Sequence, residues 1–180
     1  MSQKKIDKIA SKMPDGFKLP SKFSAFVSAN LPLSIEWSSF QNYSLKRSAN
    51  KESVPFARLS DGGLLAFWFR EESTPIVHFG GHGEIGVVAI EFSEFLKAVN
   101  TRSTGVPEID EDEDMGKIPR LTGRAKRKGI AALNKELKVW FDRHTSLQPT
   151  IKTNDGERLR KKVFAIAKSM IRDGMSKVYT

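Results

Sequence analysis

"VHFGGHGEIGVVAIEF", residues 77 to 92, decides how the chain is read. Within it, Gly81-His82-Gly83-Glu84-Ile85-Gly86 spells G-x-G-x-x-G, the glycine spacing of a dinucleotide-binding loop. In such a loop the glycines stand between a strand and a helix, because the helix N-terminus holds the pyrophosphate. Here the left flank is a plausible strand, but the right flank is "VVAIEF". That run is β-branched and apolar at consecutive positions, which suits a strand better than an amphipathic helix. No βαβ unit surrounds it. The glycines are better explained as sources of positive φ in the loop of an antiparallel hairpin.

Working outward, "VPFARLS", the turn Asp61-Gly62-Gly63 and "LLAFWF" spell a second hairpin. "REEST" connects it to "PIVHF", so four short strands in close succession predict an antiparallel meander. "FSEFLKAVN" follows as a helix with Ser93 as N-cap and Phe92, Phe95, Leu96 and Val99 on its buried face. Upstream, Ile6, Ile9 and Met13 lie at helical spacing before the turn Pro14-Asp15-Gly16. "LPSKFSAFVSANLP" reads as a short helix capped by Ser21, with Phe23, Phe26 and Val27 as its stripe. "LSIEWSSF" alternates as a strand, and "SLKRSANKES" reads as a loop.

Two helices are expected to close the chain. One runs from about Gly123 to Thr145, with Ile130, Leu133, Leu137, Trp140 and Phe141 facing inward. The other runs from about Asp155 to Lys177, with Leu159, Val163, Ile166, Ala167, Met170 and Ile171 on its stripe. Neither can bury its apolar face alone, so they pack as a helical hairpin over the sheet or over each other. The fold class is therefore α+β, a mostly antiparallel sheet flanked by helices, with a C-terminal helical hairpin. Residues 1–105 form an α+β domain, 106–118 an acidic linker or loop, and 119–180 a basic helical extension packed on the sheet.

Composition narrows the function. The 180 residues are 39% hydrophobic, with twelve Phe and three Trp, enough for a real core. There is no cysteine, which excludes disulfides, thiolate metal sites and a thiol nucleophile. No secretory h-region and no run of about 18 apolar residues is present, so a soluble cytoplasmic protein without membrane partners is expected. The net charge of +9 is unevenly placed. From Lys117 onward there are 17 Lys/Arg against 5 Asp/Glu, a balance of +12; the first 116 residues carry 13 against 16, a balance of −3. A basic tail piece invites an anionic partner.

Chemistry is not evident. His78-x-x-x-His82 with Glu84 has metal-ligand residue types, but the two imidazoles straddle a strand end and a loop instead of sharing a helix face. The third histidine, His144, falls in the basic helix. No G-x-S-x-G elbow occurs, and the carboxylates at 110 to 114 are consecutive in a loop, so nothing sets an acid/base pair. No catalytic, cofactor or metal site is expected.

The order of signals between residues 19 and 99 carries a resemblance. "LPSKFSAFVSAN" resembles the LP-x-x-(aromatic)-x-x-F helix that opens the SUKH superfamily of bacterial immunity proteins. "VPFARLSDGGLLAFWF" is similar to its strand, Gly-rich turn and strand; "PIVHFGGHGEIGVVAIEFSEFLKAV" is similar to its next two strands and helix. The chain departs from that pattern at Asn30-Leu31-Pro32, where a glycine turn often stands, and in its basic helical C-terminus. The resemblance implies an α+β domain that binds and neutralises a cognate toxin in inter-bacterial competition.

Two kinds of partner follow. A toxin could be occluded sterically, with Asp61, Glu71, Glu72, Asp110, Glu111 and Asp112 as acidic contact residues, or with the basic helices against an acidic toxin surface. Trp68 and Trp37 are candidate contact aromatics, although apolar neighbours argue for the core. Alternatively, Arg120, Arg124, Lys126, Arg127 and Lys128 with Arg158, Arg160, Lys161 and Lys162 form two basic clusters suited to nucleic-acid phosphates. No aromatic interrupts "RAKRKG" to stack bases, and a solvated basic face is the plainer reading of the same residues. A structural scaffold subunit is a third possibility.

Overall fold

The computed structural model describes residues 2–28, 49–59, 61–71, 73–81, 83–100, 123–145 and 162–166. Its centre is a four-stranded sheet in the order β1-β2-β3-β4. The strands are β1 (Ser53–Arg58), β2 (Leu64–Trp68), β3 (Ile76–Phe79) and β4 (Ile85–Ala89), and each neighbouring pair is antiparallel. The expected meander and the α+β class are what the chain forms. "LSIEWSSF", with Trp37, lies outside the described residues.

Strand residues are buried on both faces, which explains why "LLAFWF" is apolar without alternation. Successive side chains point to opposite faces. Leu65, Phe67 and Phe69 enter one core; Leu64, Ala66 and Trp68 enter the other. Register slips between Pro55 and Ala57, and between Ile76 and Val77, mark two bulges. Pro55 stands on β1, an edge among the described strands, where a missing N–H is tolerated.

Four helical pieces cover the first face. Helix α1 (Ser2–Ala10) adds Ile6 and Ile9, α2 (Phe23–Ser28) adds Phe23, Phe26 and Val27, and α4 (Phe92–Asn100) adds Phe92, Phe95 and Leu96. Val163, from the helical segment 162–166, completes this cluster. Its centre is aromatic: the Phe23 ring lies 5.8 Å from Phe56, 5.6 Å from Phe67 and 5.5 Å from Phe92.

Helix α5 (Gly123–His144) covers most of the second face, and Ala49, fully buried, joins the same cluster. Ile130, Leu133, Leu137, Trp140 and Phe141, the stripe read from spacing, are all buried there. They meet Trp68, Val77, Phe79, Ile85 and Val87. Trp68 is therefore core, 4% exposed and 6.1 Å from the Trp140 ring, not a contact aromatic.

Three expectations need correction. The described part of the second C-terminal helix, 162–166, joins the face opposite α5, so these pieces do not cover one face as a hairpin. A sheet apolar on both sides needs cover on both, and each amphipathic segment takes one. Ser93 is not the cap of α4: the Phe95 N–H donates to the Glu91 carbonyl, placing Glu91 at that position, while the Glu94 carboxylate accepts from the Ile90 N–H at 3.1 Å. Residues 49–52, read as loop, form the short helix α3 (Ala49–Glu52).

Helix α5 also blunts β4, the other edge among the described strands. The Asn134 side-chain oxygen accepts the Val87 N–H at 2.7 Å, filling a donor that would otherwise invite another strand. Replacing Asn134 with Ala should cost about 1–3 kcal/mol, because the partly buried N–H loses its acceptor. Urea titration would measure this, and a loss under about 0.5 kcal/mol would show that water replaces the amide without penalty.

Candidate functional site

Two of the three connections in the meander leave the sheet at the same end, and they have the same build. In the β1–β2 turn the Leu59 N–H donates to the Gly63 carbonyl at 2.7 Å, and the Gly62 N–H to the Leu59 carbonyl at 3.0 Å. In the β3–β4 turn the Gly80 N–H donates to the Glu84 carbonyl at 2.6 Å, and the Gly83 N–H to the Gly80 carbonyl at 3.1 Å. Gly62 and Gly83 hold φ of +83° and +82° at matching positions. This is the three-residue hairpin loop that ends in a left-handed residue. The G-x-G-x-x-G run is thus a hairpin turn, as its flanks predict.

The two turns abut. A methyl group at Gly81 would stand 3.2 Å from the Asp61 carbonyl oxygen. Asp61 Oδ1 accepts the Gly63 N–H at 2.9 Å, stiffening the first turn. Above both, Lys162 Nζ lies 3.7 Å from Asp61 Oδ2 and 3.4 Å from Glu84 Oε2. A single ammonium thus joins two loops and the C-terminal segment.

Beneath them lies His78, on β3 and 0% exposed. Neither of its ring nitrogens has a hydrogen-bond partner among the described residues. Leu65 and Gly86 flank it in register. The ring sits so close to the neighbouring backbones that a methyl group at Gly63 would fall 2.5 Å from His78 Nε2, and one at Gly80 3.0 Å from His78 Cε1. Only glycine fits such approaches. Burial lowers the imidazole pKa from 6.5 to about 4, against the upward pull of Asp61 and Glu84 and with a further downward push from Lys162. At neutral pH the ring is uncharged.

Among the described residues, no group of three or more His, Asp or Glu is placed to hold a metal ion. His82 lies outside them. At the opposite end of the sheet, Trp140 Nε1 donates to Glu52 Oε2 at 2.6 Å, and His144 stacks on Trp140 with ring centres 4.6 Å apart. Arg70 pairs with Glu136 and stands 5.3 Å over the Trp68 ring. These contacts tie α5 to α3 and β2.

The structure separates the acidic residues picked from sequence. Asp61 is at the double-turn end, whereas Glu71 is exposed on the β2–β3 connection at the other end. Glu72, Asp110, Glu111 and Asp112 lie outside the described residues. Of the basic residues, Arg124, Lys126 and Arg127 fall on the first turns of α5, and Lys128 is exposed there. Arg120, Arg158, Arg160 and Lys161 lie outside the described residues. Lys162 faces two carboxylates, which weakens its case as a phosphate contact. Glu84 belongs beside Asp61, a pairing that no local pattern signals.

Among the described residues, no helix is long and apolar enough to cross a membrane. No family model, curated protein or solved structure matches the chain.

Proposed function

We propose that the chain is an immunity-type protein that binds a cognate bacterial toxin and neutralises it by steric occlusion, with the double-turn end of the sheet as its contact surface. The observation behind this reading is the side-by-side placement of Asp61 and Glu84 on two short, internally hydrogen-bonded turns. Turns held in one geometry lose little entropy on binding, and two adjacent carboxylates sharing one ammonium favour a basic partner that takes the place of Lys162. The order of elements between residues 19 and 99, which resembles SUKH domains, supports the same reading. So does the cysteine-free composition, which suits a cytoplasmic inhibitor.

Co-expression with the toxin encoded beside this gene should restore growth. The charge-reversed variant Asp61→Lys/Glu84→Lys should bind that toxin at least about 10-fold more weakly, each lost charge contact being worth on the order of 1 kcal/mol or more. Absence of rescue by the wild-type chain would overturn the reading.

A second reading has its own observation. On α5 the exposed side opposite the apolar stripe carries Lys128, Lys135 and Lys138, with Ala131 and Ala132 between them. Across the whole helix there are seven Lys/Arg against two acidic residues. Such a face fits a nucleic-acid backbone. A labelled duplex should then shift at low salt, and Lys128→Glu/Lys135→Glu/Lys138→Glu should abolish the shift. No shift with DNA or RNA at low salt ends that idea.

A further inference from the structure

We propose that the helical segment 162–166 is an acid-released strap: protonation of His78 frees it from the double-turn end of the sheet while the sheet itself stays folded. This stands apart from the proposed toxin binding and does not depend on it.

The geometry is that of a group sealed in its neutral form. His78 is fully buried, its ring pressed on the Gly63 and Gly80 backbones, with no hydrogen-bond partner among the described residues for either nitrogen. An imidazolium needs two acceptors or water, and no described residue accepts from either ring nitrogen. Charged groups reach it from three elements: Asp61 from the β1–β2 turn, Glu84 from the β3–β4 turn, and Lys162 from the segment 162–166. The flanking positions on β2 and β4, Leu65 and Gly86, carry no charge.

Lys162 is the member of this set that comes from outside the sheet. Its segment is also held on the first core by Val163, fully buried, and by the partly buried Phe164 and Ile166, so the open form is the minor one at neutral pH. Asp61 and Glu84 stand on turns closed by backbone hydrogen bonds, whereas the polar contacts of Lys162 at this end run to those two carboxylates. Its ammonium opposes a proton on His78, and the two carboxylates favour one. Lifting the segment therefore removes the repulsion, admits water and leaves both carboxylates free to pair with the imidazolium. The open form binds the proton more tightly than the closed form, so acid shifts the population toward it.

The effect can be sized. An imidazole held at about 4 in the closed form and returning to 6.5 when hydrated favours opening by on the order of 50-fold at pH 4.5 relative to pH 7.5. Hydrogen exchange followed by mass spectrometry, corrected for the intrinsic pH dependence of exchange, reads this directly on the full chain. Opening of the peptide that spans 162–166 should rise by about that factor, while peptides from β2 and β3 keep their protection. In His78→Gln, which cannot take the proton, the rise should vanish. A pH-independent strap, simultaneous loss of protection in β2 and β3, or a full response in His78→Gln would each overturn the proposal. Should that variant fail to fold, histidine NMR titration of the wild-type chain decides. The His78 signal must change over the same pH range as strap exchange. Titration at an ordinary pKa with the strap still protected would refute the mechanism.

Discussion

Phe23→Ala should lower the unfolding free energy by about 3–5 kcal/mol, the range for removing a fully buried phenylalanine. Phe23 comes from a helix of only six residues, so α2 adds little stability of its own and depends on what its ring touches. The ring has no exposed surface and meets Phe26, Phe56, Phe67 and Phe92 with centroids between 5.5 and 6.3 Å apart. Truncation leaves a void walled by other rigid rings and by β-strands, which cannot collapse into it. For a domain whose total stability is about 5–15 kcal/mol, that is a large share. Urea unfolding monitored by tryptophan fluorescence would measure it. A loss under about 1.5 kcal/mol would mean that α2 readily repacks. Leu137→Ala, on the other face of the sheet, should add to Phe23→Ala within about 0.5 kcal/mol, because the two belong to separate clusters.

Stability should also fall by roughly 3 kcal/mol as the pH drops from 7 to 4 through His78 alone. The folded-state value is about 4 and the unfolded value about 6.5, so the unfolded chain takes up the proton first. The contribution of His78 is therefore intact above pH 6.5, is lost progressively below it, and levels off near pH 4. Its size follows from complete burial: solvent does not screen this group. His78→Gln keeps a polar side chain of similar reach without the titration, so the difference between variant and wild type should converge as pH falls. Urea midpoints at pH 7.5, 6.5, 5.5 and 4.5 test this. Parallel curves for the two proteins would show that acid sensitivity resides elsewhere.

Much of the fold was legible in the order of residues. Gly62 and Gly83 announce turns because few other residues adopt their φ, and the apolar runs on either side allow only strands. The stripe on α5 was readable because five bulky residues recur at helical spacing, and all five are buried. The G-x-G-x-x-G run was resolved by its flanks, since no helix follows it. Local signals erred where neighbours competed: Ser93 has the right chemistry for a cap, yet the helix starts at Phe92 and Glu91 takes that place.

By itself, then, the sequence determined the four strands of the meander, their turns and the apolar stripe of α5, because each depends on residues a few positions apart. Only the tertiary structure decided which helix covers which face, and so sent 162–166 to the side opposite α5. It alone brought Asp61, Glu84 and Lys162 together over His78, and made a strand histidine a buried base with no hydrogen-bond partner among the described residues. These are contacts between residues as many as 101 positions apart, such as Asp61 and Lys162. No periodicity or turn preference encodes them; they follow from the need of a sheet with two apolar faces to be covered twice.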